Sequence, residues 1–386
     1  MSASLASFSF PTATLFGAGA ISELPERVHQ IGSRKPLVVT DPGLLQTKSF
    51  QILSNTLGAK RLGQSWELFH AVHTNPTEQD VMDAAKACRE ANCDLVIGFG
   101  GGSALDVAKA SRLLIKRPEL KLTRFNFNDD WSGMARCICI PTTAGTGSEV
   151  GRSSVITLAG TQRRSVIFHP RLLAKLVILD PDLTLELPAK LTAATGMDAL
   201  THCIESFTSP VFQPFCDGIA LEGVHMIAEA LPLAYKNGKD IEARGQMLVA
   251  AAMGGVAFQK DLGATHSLAH PLSALCGMHH GTANAICLPH VMKFNADRKP
   301  GLYRRVGLAC GLDVLRTTPA EADTRTIGFI RNFLKEIGLA EGLSAYGVKE
   351  SQLEALSNQA LADPCHATNP VPVTRDDLKA LYQAAL

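Results

Sequence analysis

Histidine and aspartate residues at helical spacing form the most distinctive chemical pattern of this chain. The stretch GATHSLAHPLSALCGMHHGT, residues 263–282, contains four of the twelve histidines. Upstream, TGMDALTHCIE places Asp198 and His202 four residues apart, on one face of a helix, where both can reach a common point. His266 and His270 repeat that spacing. One carboxylate and several imidazoles, with no thiolate at ligand spacing, predict a divalent metal site for Fe(II) or Zn(II).

The spacing does not determine which residues belong to this metal site. His280 precedes a glycine in a turn-like HHG sequence, directly after His279. A single histidine is more often a satisfied core or surface residue, so the metal prediction depends on the combination of the Asp-x-x-x-His pair with the dense cluster. Spacing alone does not decide which histidine completes the site: His266, His270, His279 or His280.

Two loops rich in glycine and threonine predict a nucleotide site. GFGGGSALDVAK, residues 98–109, has glycines between an apolar strand and a helix, where free backbone amides point outward and a phosphate can approach closely. PTTAGTGSEV, residues 141–150, also follows a strand and offers three threonine hydroxyls. The first loop departs from G-x-G-x-x-G, so a simple tight turn is its alternative interpretation. Two such loops on one sheet edge favour a dinucleotide.

The acidic residue Asp41 predicts which dinucleotide is bound. It closes the apolar run PLVVTD, upstream of both loops. A carboxylate at a strand end can accept hydrogen bonds from both ribose hydroxyls and repels a 2′-phosphate, which favours NAD over NADP. The alternative is a turn or cap residue before Pro42.

The elements that would position these residues fall into two sets. Apolar runs alternate with helical patterns in the first half, at residues 36–41, 93–103, 104–115, 137–143 and 175–183. That alternation is typical of a parallel sheet with crossover helices. After it, long Ala- and Leu-rich periods predict an all-helical region. We therefore predict an α/β dinucleotide-binding domain at residues 1–183 and an all-α metal and catalytic domain at residues 184–386.

Length, composition and charge limit the classes of function. A chain of 386 residues with 46% apolar and 19% charged residues can build two packed domains. Its net charge of +1 provides no field that would attract nucleic acid or an acidic membrane. We therefore expect small-molecule partners, with no nucleic acid and no membrane.

The location of the protein is predicted from three further features. The first 26 residues contain no Lys or Arg, so no secretory signal is expected. The longest nearly apolar stretch, residues 247–258, is shorter than the ~18 residues that span a bilayer. Ten scattered cysteines without a C-x-x-C pair indicate reduced thiols. Together they predict a cytoplasmic protein.

Over nearly its whole length the sequence resembles the iron-containing, or group III, alcohol dehydrogenases. The segments that carry this resemblance are LFGAGAISEL (15–24), VTD (39–41), TNPTEQDV (74–81), GGGSALDVAK (100–109), PTTAGTGSEV (141–150), LTAATGMDALTHCIE (191–205) and HSLAHPLSALCGMHHGTANAICLPHVMKFN (266–295). The resemblance implies a dehydroquinate synthase-like architecture, with an N-terminal dinucleotide domain and a C-terminal helical domain. It also implies a metal-dependent NAD(H) oxidoreductase that interconverts a primary alcohol and an aldehyde.

The same resemblance implies roles for individual residues. Four residues correspond to the family's metal ligands: Asp198, His202, His266 and His280. His270 corresponds to a histidine implicated in proton transfer, whereas His279 has no counterpart among the ligands and is expected to face away. The residues expected at the cofactor are Asp41, Asn75, Gly101, Gly102, Ser103, Asp106, Thr142, Thr143, Thr146, Arg164 and Leu183. Many relatives have a lysine in place of Arg164, so a planar fork replaces a point charge there.

Three segments are similar to the 4-hydroxybutyrate dehydrogenase branch of the family: FQKDLGATHSLAHP (258–271), SVIFHPRLL (165–173) and DPCHATNP (363–370). The predicted substrate residues are Ser153, Phe258, Lys260, Cys365 and His366. Lys260 is predicted to hold the carboxylate of an ω-hydroxy acid such as 4-hydroxybutyrate, or of succinic semialdehyde. The alternatives are a solvated or helix-capping role for Lys260 and a loop position for His366.

Alternative functions stay open at this point. They are a general primary-alcohol, propanediol or lactaldehyde dehydrogenase, and a metal-dependent cyclase or lyase of the same architecture. The fourth metal ligand, His202, favours the iron-type branch over the cyclases, whose sites are expected to use three protein ligands. We also expect a homo-oligomer, specifically a dimer.

Overall fold

A computed structural model describes residues 12–58, 65–160 and 164–386. The chain divides into two compact units. The α/β unit comprises the described residues up to Leu187 together with Gly238–Ala252, and the helical unit comprises Pro188–Asn237 and Met253–Leu386. The predicted boundary after residue 183 lies close to this division. Gly238–Ala252, which was predicted to belong to the second domain, instead groups with the α/β unit.

A parallel sheet is the centre of the α/β unit. Its strands are β1 (Ala13–Phe16), β2 (Pro36–Val39), β3 (Glu67–Phe69), β4 (Leu95–Gly100) and β5 (Arg136–Pro141), followed by β8 (Leu176–Leu179). They are arranged in the order β1-β8-β5-β4-β2-β3, and every pair is parallel. All residues of β2, β4 and β8 are buried, as expected for strands covered on both faces. The remaining strands, β6 (Ser153–Thr157) and β7 (Arg164–Phe168), form a separate antiparallel hairpin.

Helices connect the strands of this sheet. They are α1 (Leu24–Ile31), α2 (Lys48–Gly58), α3 (Glu78–Glu90) and α4 (Gly102–Lys116). Helix α3 begins at a capping box, in which the Thr77 side chain accepts from the Asp80 amide and the Asp80 carboxylate accepts from the Thr77 amide. Helix α4 begins directly after β4, so that the glycine sequence forms the turn between them.

The rest of the chain is helical. Its helices are α5 (Ala189–Thr208), α6 (Pro214–Lys236), α7 (Ile241–Ala257), α8 (Ala264–Cys276), α9 (His280–Arg298), α10 (Arg304–Ala309), α11 (Pro319–Glu336), α12 (Leu353–Ala362) and α13 (Arg375–Ala385). Among the described residues, no strand follows Leu179. The predicted fold class, a parallel α/β domain followed by an all-helical one, is therefore confirmed.

One apolar core holds α8, α9, α12 and α13 together. It contains the buried side chains of Leu272, Ile286, Leu356, Leu378 and Tyr382. Burial of each such side chain contributes roughly 1.5–3 kcal/mol, so this core fixes the helices that carry several of the candidate ligands. None of the helices in the described segments combines the length and the apolar character needed to cross a membrane.

Candidate metal and cofactor sites

Three helices of the helical unit carry the four predicted metal ligands. Helix α5 presents Asp198 and His202 one turn apart, α8 carries His266, and α9 begins at His280. Gly281 lets the start of α9 approach α5, because a Cβ at this position would lie 2.0 Å from the main-chain oxygen of Ala194. The HHG sequence therefore requires its glycine for packing, and that packing brings His280 to Asp198.

The ligand atoms of these residues converge in a buried space. Those of Asp198, His202 and His266 all lie within 4.8 Å of one another. The Nε2 atom of His280 is 3.4 Å from Asp198 Oδ1, and the Nε2 atom of His266 is 3.9 Å from the same oxygen. Asp198, His202 and His266 are at most 5% exposed. The structure thus brings together the four residues that the sequence predicted, whereas His279 is exposed.

The contacts of Asn284 bear on whether these residues suit a cation. Its Nδ2 lies 2.7 Å from Asp198 Oδ1 and 3.2 Å from the Nε2 atoms of both His266 and His280. An amide NH2 group does not accept hydrogen bonds and has only two N–H groups to donate, so this position brings three potential acceptor atoms to one point. The opposite amide orientation would place Oδ1 of Asn284 against the carboxylate. Lone pairs of one carboxylate and two imidazoles that meet in a buried space suit a divalent metal.

Glu205, a buried carboxylate that was not predicted from the sequence, contacts the Nδ1 atom of His266. Glu205 Oε2 lies 2.6 Å from His266 Nδ1. Burial is the largest single effect and would raise the pKa of Glu205, but the hydrogen bond and charge of His266 together with the hydrogen bonds from Thr265 lower it. Burial would likewise lower the pKa of His266, and the Glu205 carboxylate raises it instead. The seven-residue spacing from Asp198 along one helix face was the signal that could have identified Glu205.

His270 has its own carboxylate partner. Its Nδ1 lies 2.7 Å from Asp363 Oδ2. The hydroxyl of Ser267 and the amide of Cys365 donate to the other oxygen of Asp363, at 3.1 Å and 2.9 Å. Burial is the largest single effect and would raise the pKa of Asp363, but the hydrogen bond and charge of His270 together with the hydrogen bonds from Cys365 hold that pKa well below its ordinary value. Sequence reading offered no signal for this pair, because 93 residues separate its members.

The predicted substrate residues lie in different surroundings. The Phe258 ring packs 5.3 Å from the His202 ring, which places it beside the candidate ligands. Lys260 is buried, and its Nζ forms an ion pair with Asp217 and donates to the main-chain oxygen of Phe207 at 3.3 Å. Its charge is already balanced inside the protein. The predicted role of Lys260 in holding a substrate carboxylate is therefore not supported.

The two predicted substrate residues near the C-terminus also differ from one another. Cys365 lies with His270 and Asp363 in a group whose potential ligand atoms are within 4.8 Å of one another. Burial raises the pKa of the Cys365 thiol. His366 instead directs Nε2 to the main-chain oxygen of Leu361 at 2.9 Å. This local contact matches the alternative interpretation of His366 as a loop residue, and its pocket role is not supported.

The two predicted cofactor loops of the α/β unit lie against each other. The Thr142 amide donates to the Gly100 oxygen at 3.0 Å. A Cβ on Gly102 would meet Thr146 Oγ1 at 2.8 Å, and one on Gly101 would meet Thr143 at 3.6 Å. No side chain among the described residues caps the start of α4. Free amides beside a turn without side chains suit a pyrophosphate.

Asp41 lies beside this glycine turn. Gly100 has a φ of 143°, and a Cβ there would lie 3.4 Å from Asp41 Oδ2. The other carboxylate oxygen of Asp41 accepts from the Gly43 amide at 2.9 Å. Burial raises the pKa of Asp41. One carboxylate oxygen of Asp41 therefore acts as a cap, as the alternative interpretation predicted, while the second oxygen faces the predicted cofactor loop.

The side chains of two predicted cofactor residues, Asp106 and Leu183, make contacts inside the α/β unit. Asp106 is buried, and its carboxylate accepts from the Ser148 hydroxyl at 2.5 Å and the Val155 amide at 2.9 Å. Lys109 lies 3.2 Å from the same carboxylate. The Leu183 side chain belongs to the core of the α/β unit. Asp106 and Leu183 were predicted at the cofactor, but their side chains are occupied by internal hydrogen bonds and by packing.

For three other predicted residues of the α/β unit, Ser103, Asn75 and Ser153, the structure gives the positions without testing the predicted roles. Ser103 donates to the Thr74 oxygen at 2.6 Å, which fixes the start of α4 beside the exposed Asn75. Ser153 begins β6, and its main-chain oxygen accepts from Lys109 at 2.5 Å. Arg164 begins β7, but its side chain lies outside the described residues.

Comparison with known proteins gives consistent matches along the chain. Residues 11–181 match the model of iron-containing alcohol dehydrogenase, and residues 192–386 match the C-terminal model of the Fe-containing alcohol dehydrogenase family. The 4-hydroxybutyrate dehydrogenase of Cupriavidus necator is 38% identical, covering 95% of this chain and 96% of its own length. The NAD-dependent methanol dehydrogenase of Bacillus methanolicus is 33% identical, with coverages of 99% and 100%. The crystal structure of a 1,3-propanediol oxidoreductase superposes with a TM-score of 0.94 at 32% identity, with coverages of 99% and 100%.

Proposed function

This chain belongs to the iron-containing alcohol dehydrogenase family, and on that basis we propose that it interconverts a primary alcohol and an aldehyde with NAD(H) and a divalent metal. In the oxidative direction the carbon gives a hydride to NAD+ and the hydroxyl gives up a proton, so that aldehyde and NADH are formed. Asp41 and the two glycine and threonine loops would hold NAD.

The observation that carries this proposal is the convergence of Asp198 Oδ1 and the Nε2 atoms of His266 and His280 on the Asn284 amide. Asp198, His202, His266 and His280 would hold the ion, with Fe(II) as the proposed metal and Zn(II) as the alternative. When bound, such an ion supplies Lewis-acid stabilisation of the substrate oxygen. The protein contributes a buried carboxylate and imidazoles held in place by helix packing.

His270 is the residue that we propose moves the alcohol proton. Its Nδ1 is hydrogen-bonded to Asp363, which leaves Nε2 to exchange a proton. Its side chain is 19% exposed, so the imidazole can pass that proton to solvent.

For the substrate we propose an ω-hydroxy acid such as 4-hydroxybutyrate, or succinic semialdehyde in the reductive direction. The 38% identity to a 4-hydroxybutyrate dehydrogenase supports this proposal, and Phe258 offers an apolar wall beside His202. The pairing of Lys260 with Asp217 removes the residue first expected to bind the carboxylate. A general primary-alcohol, propanediol or lactaldehyde dehydrogenase is therefore the second candidate, whereas family membership argues against a cyclase or lyase.

We further propose a cytoplasmic homodimer that binds neither nucleic acid nor membranes. The net charge of +1 supports the absence of nucleic-acid and membrane partners, and the ten free cysteines support the cytoplasmic location. Sedimentation of the purified protein would test the dimer, and a monomer at micromolar concentration would contradict it.

Two adjacent histidines give a matched test of the metal site. His280→Ala should abolish metal-dependent turnover and lower the bound metal per chain, because loss of a ligand weakens binding. His279→Ala should keep the metal content of the wild type, since His279 is exposed. Elemental analysis of protein purified without oxygen measures both variants. Metal loss in the His279 variant alone would show that the wrong histidine was assigned.

NADH consumption with a panel of aldehydes tests the substrate. Succinic semialdehyde should give a higher kcat/KM than butanal, which has the same number of carbons but no carboxylate. Equal or better turnover of butanal would contradict the hydroxy-acid proposal and favour the general primary-alcohol dehydrogenase. No NADH consumption with any aldehyde by the metal-loaded protein would contradict the dehydrogenase itself.

A further inference from the structure

We infer that Glu205 is a positioning residue of the metal site, which holds His266 in the one tautomer and ring orientation that aim Nε2 at the ion. This inference rests on the proposed function, because it concerns the same metal site. Glu205 is not one of the four predicted ligands, and it was not predicted to belong to the metal site.

The contacts of Glu205 define the tautomer of His266. An ionised carboxylate only accepts, so the 2.6 Å contact requires the proton on His266 Nδ1. In the neutral imidazole the other ring nitrogen, Nε2, then carries the lone pair. That atom is the one that receives the Asn284 amide at 3.2 Å and lies 3.9 Å from Asp198 Oδ1. Two independent contacts therefore agree that the His266 lone pair faces the other ligands.

Glu205 is itself held in place by the main chain. Its Oε1 accepts from the Thr265 amide at 2.7 Å, and its Oε2 accepts from the Gly263 amide at 3.1 Å. Both amides lie at the start of α8, which carries His266, while Glu205 lies on α5 with Asp198 and His202. One carboxylate thus connects the helices that supply three of the four ligands. A Cβ on Gly263 would meet Glu205 Oε1 at 2.8 Å, so the sequence leaves room for this carboxylate.

The charge of Glu205 has a second effect on His266. A carboxylate that accepts the Nδ1 proton makes the opposite nitrogen a stronger electron donor, and such partners typically change metal affinity by about 10- to 100-fold. Glu205 is 5% exposed and His266 is 1% exposed, so solvent screens this interaction weakly. The effect should therefore appear in metal affinity, separately from any effect on folding.

A purely structural role is the competing explanation, because Glu205 also caps the start of α8. Asp323 provides a matched control in the same unit. It is 2% exposed and accepts from the amides of Gly301 at 2.6 Å and Tyr303 at 2.8 Å, and within the described part of the chain neither hydrogen bond involves a candidate ligand. Asp323→Asn therefore removes a buried charge that accepts two amides, as Glu205→Gln does, without touching a histidine.

The test measures Co2+ affinity of the full-length protein by competition with a chromophoric chelator, together with the visible absorption of the bound Co2+. Glu205→Leu should weaken Co2+ binding about 100-fold and alter the absorption spectrum. Glu205→Gln keeps an oxygen that can accept from His266, so it should weaken binding by only about 10-fold. Asp323→Asn should keep the affinity and spectrum of the wild type, even where its thermal stability falls.

The outcomes separate this inference from the proposed function. Wild-type affinity and spectrum in Glu205→Gln would overturn the role of Glu205, while the metal site would stand. An equal loss of affinity in Asp323→Asn would also overturn it, because a general loss of stability would then explain the effect. If Glu205→Leu does not fold, the Co2+ affinities and spectra of Glu205→Gln and Asp323→Asn are sufficient to test the role of Glu205. Absence of Co2+ binding in the wild type would overturn both the inference and the proposed metal site.

Discussion

Replacement of Lys260 by methionine should lower the stability of the protein without changing its selectivity for an acidic substrate. Methionine keeps an unbranched apolar stem of similar length but removes the ammonium group. In the wild type that group forms an ion pair with Asp217 and donates to the Phe207 oxygen at 3.3 Å. The side chain of Lys260 is 3% exposed and that of Asp217 is 29% exposed. This difference in exposure determines the size of each effect.

Loss of one partner of a buried ion pair costs about 3–5 kcal/mol, because the remaining charge is buried without compensation. After Lys260→Met the remaining charge is the Asp217 carboxylate, which water can partly reach, so a smaller loss of about 1–3 kcal/mol is expected. After Asp217→Asn the remaining charge is the deeply buried ammonium, so the loss should approach the full range. The double variant should lose less than the sum of the two single variants.

Urea unfolding of the four proteins measures these free energies, and kcat/KM for succinic semialdehyde and butanal measures selectivity. Lys260→Met should change both kcat/KM values by the same factor. If the single losses simply added, or if Asp217→Asn were the milder variant, the reasoning from burial would be refuted. A selective loss on succinic semialdehyde would instead restore the substrate role first predicted for Lys260.

Two further predictions concern the α/β unit. Asp41→Gly should raise the ratio of NADPH to NADH activity on the order of tenfold, because it removes a like charge worth about 1.4 kcal/mol from the 2′-phosphate; an unchanged ratio would show that Asp41 does not face the ribose. Burial raises the pKa of Glu149 to about 7 from its ordinary value of 4.5, so its ionisation is disfavoured in the folded state and stability should fall as pH rises between those values. Glu149→Gln should therefore be stabilising by about 1–3 kcal/mol at pH 8 relative to pH 5, and a difference between variant and wild type that is the same at both pH values in urea unfolding would contradict this.

The longer sheet strands and the metal-ligand spacing were predictable because their signals are local. The runs that form β2, β4, β5 and β8 are apolar and end at turn residues, which is sufficient to recognise buried parallel strands. The short strand β3 and the edge strand β1, with three of its four residues exposed, carry no such pattern. Asp198 and His202 are likewise close in sequence, so helix geometry alone brings them together.

The partners of these residues were decided only by tertiary structure. Asp363 lies 93 residues from His270, and Asp217 lies 43 residues from Lys260. No local period indicates that either carboxylate meets its partner. Asp106 matched a family motif, but one of its oxygens accepts from Ser148 and the other from Val155 of β6. Sequence determines which charged groups exist and which helix face or strand end carries them. Only the folded chain decides which of these groups neutralise each other inside the protein and which keep lone pairs free for a metal, since that choice depends on distances between helices that are far apart in sequence.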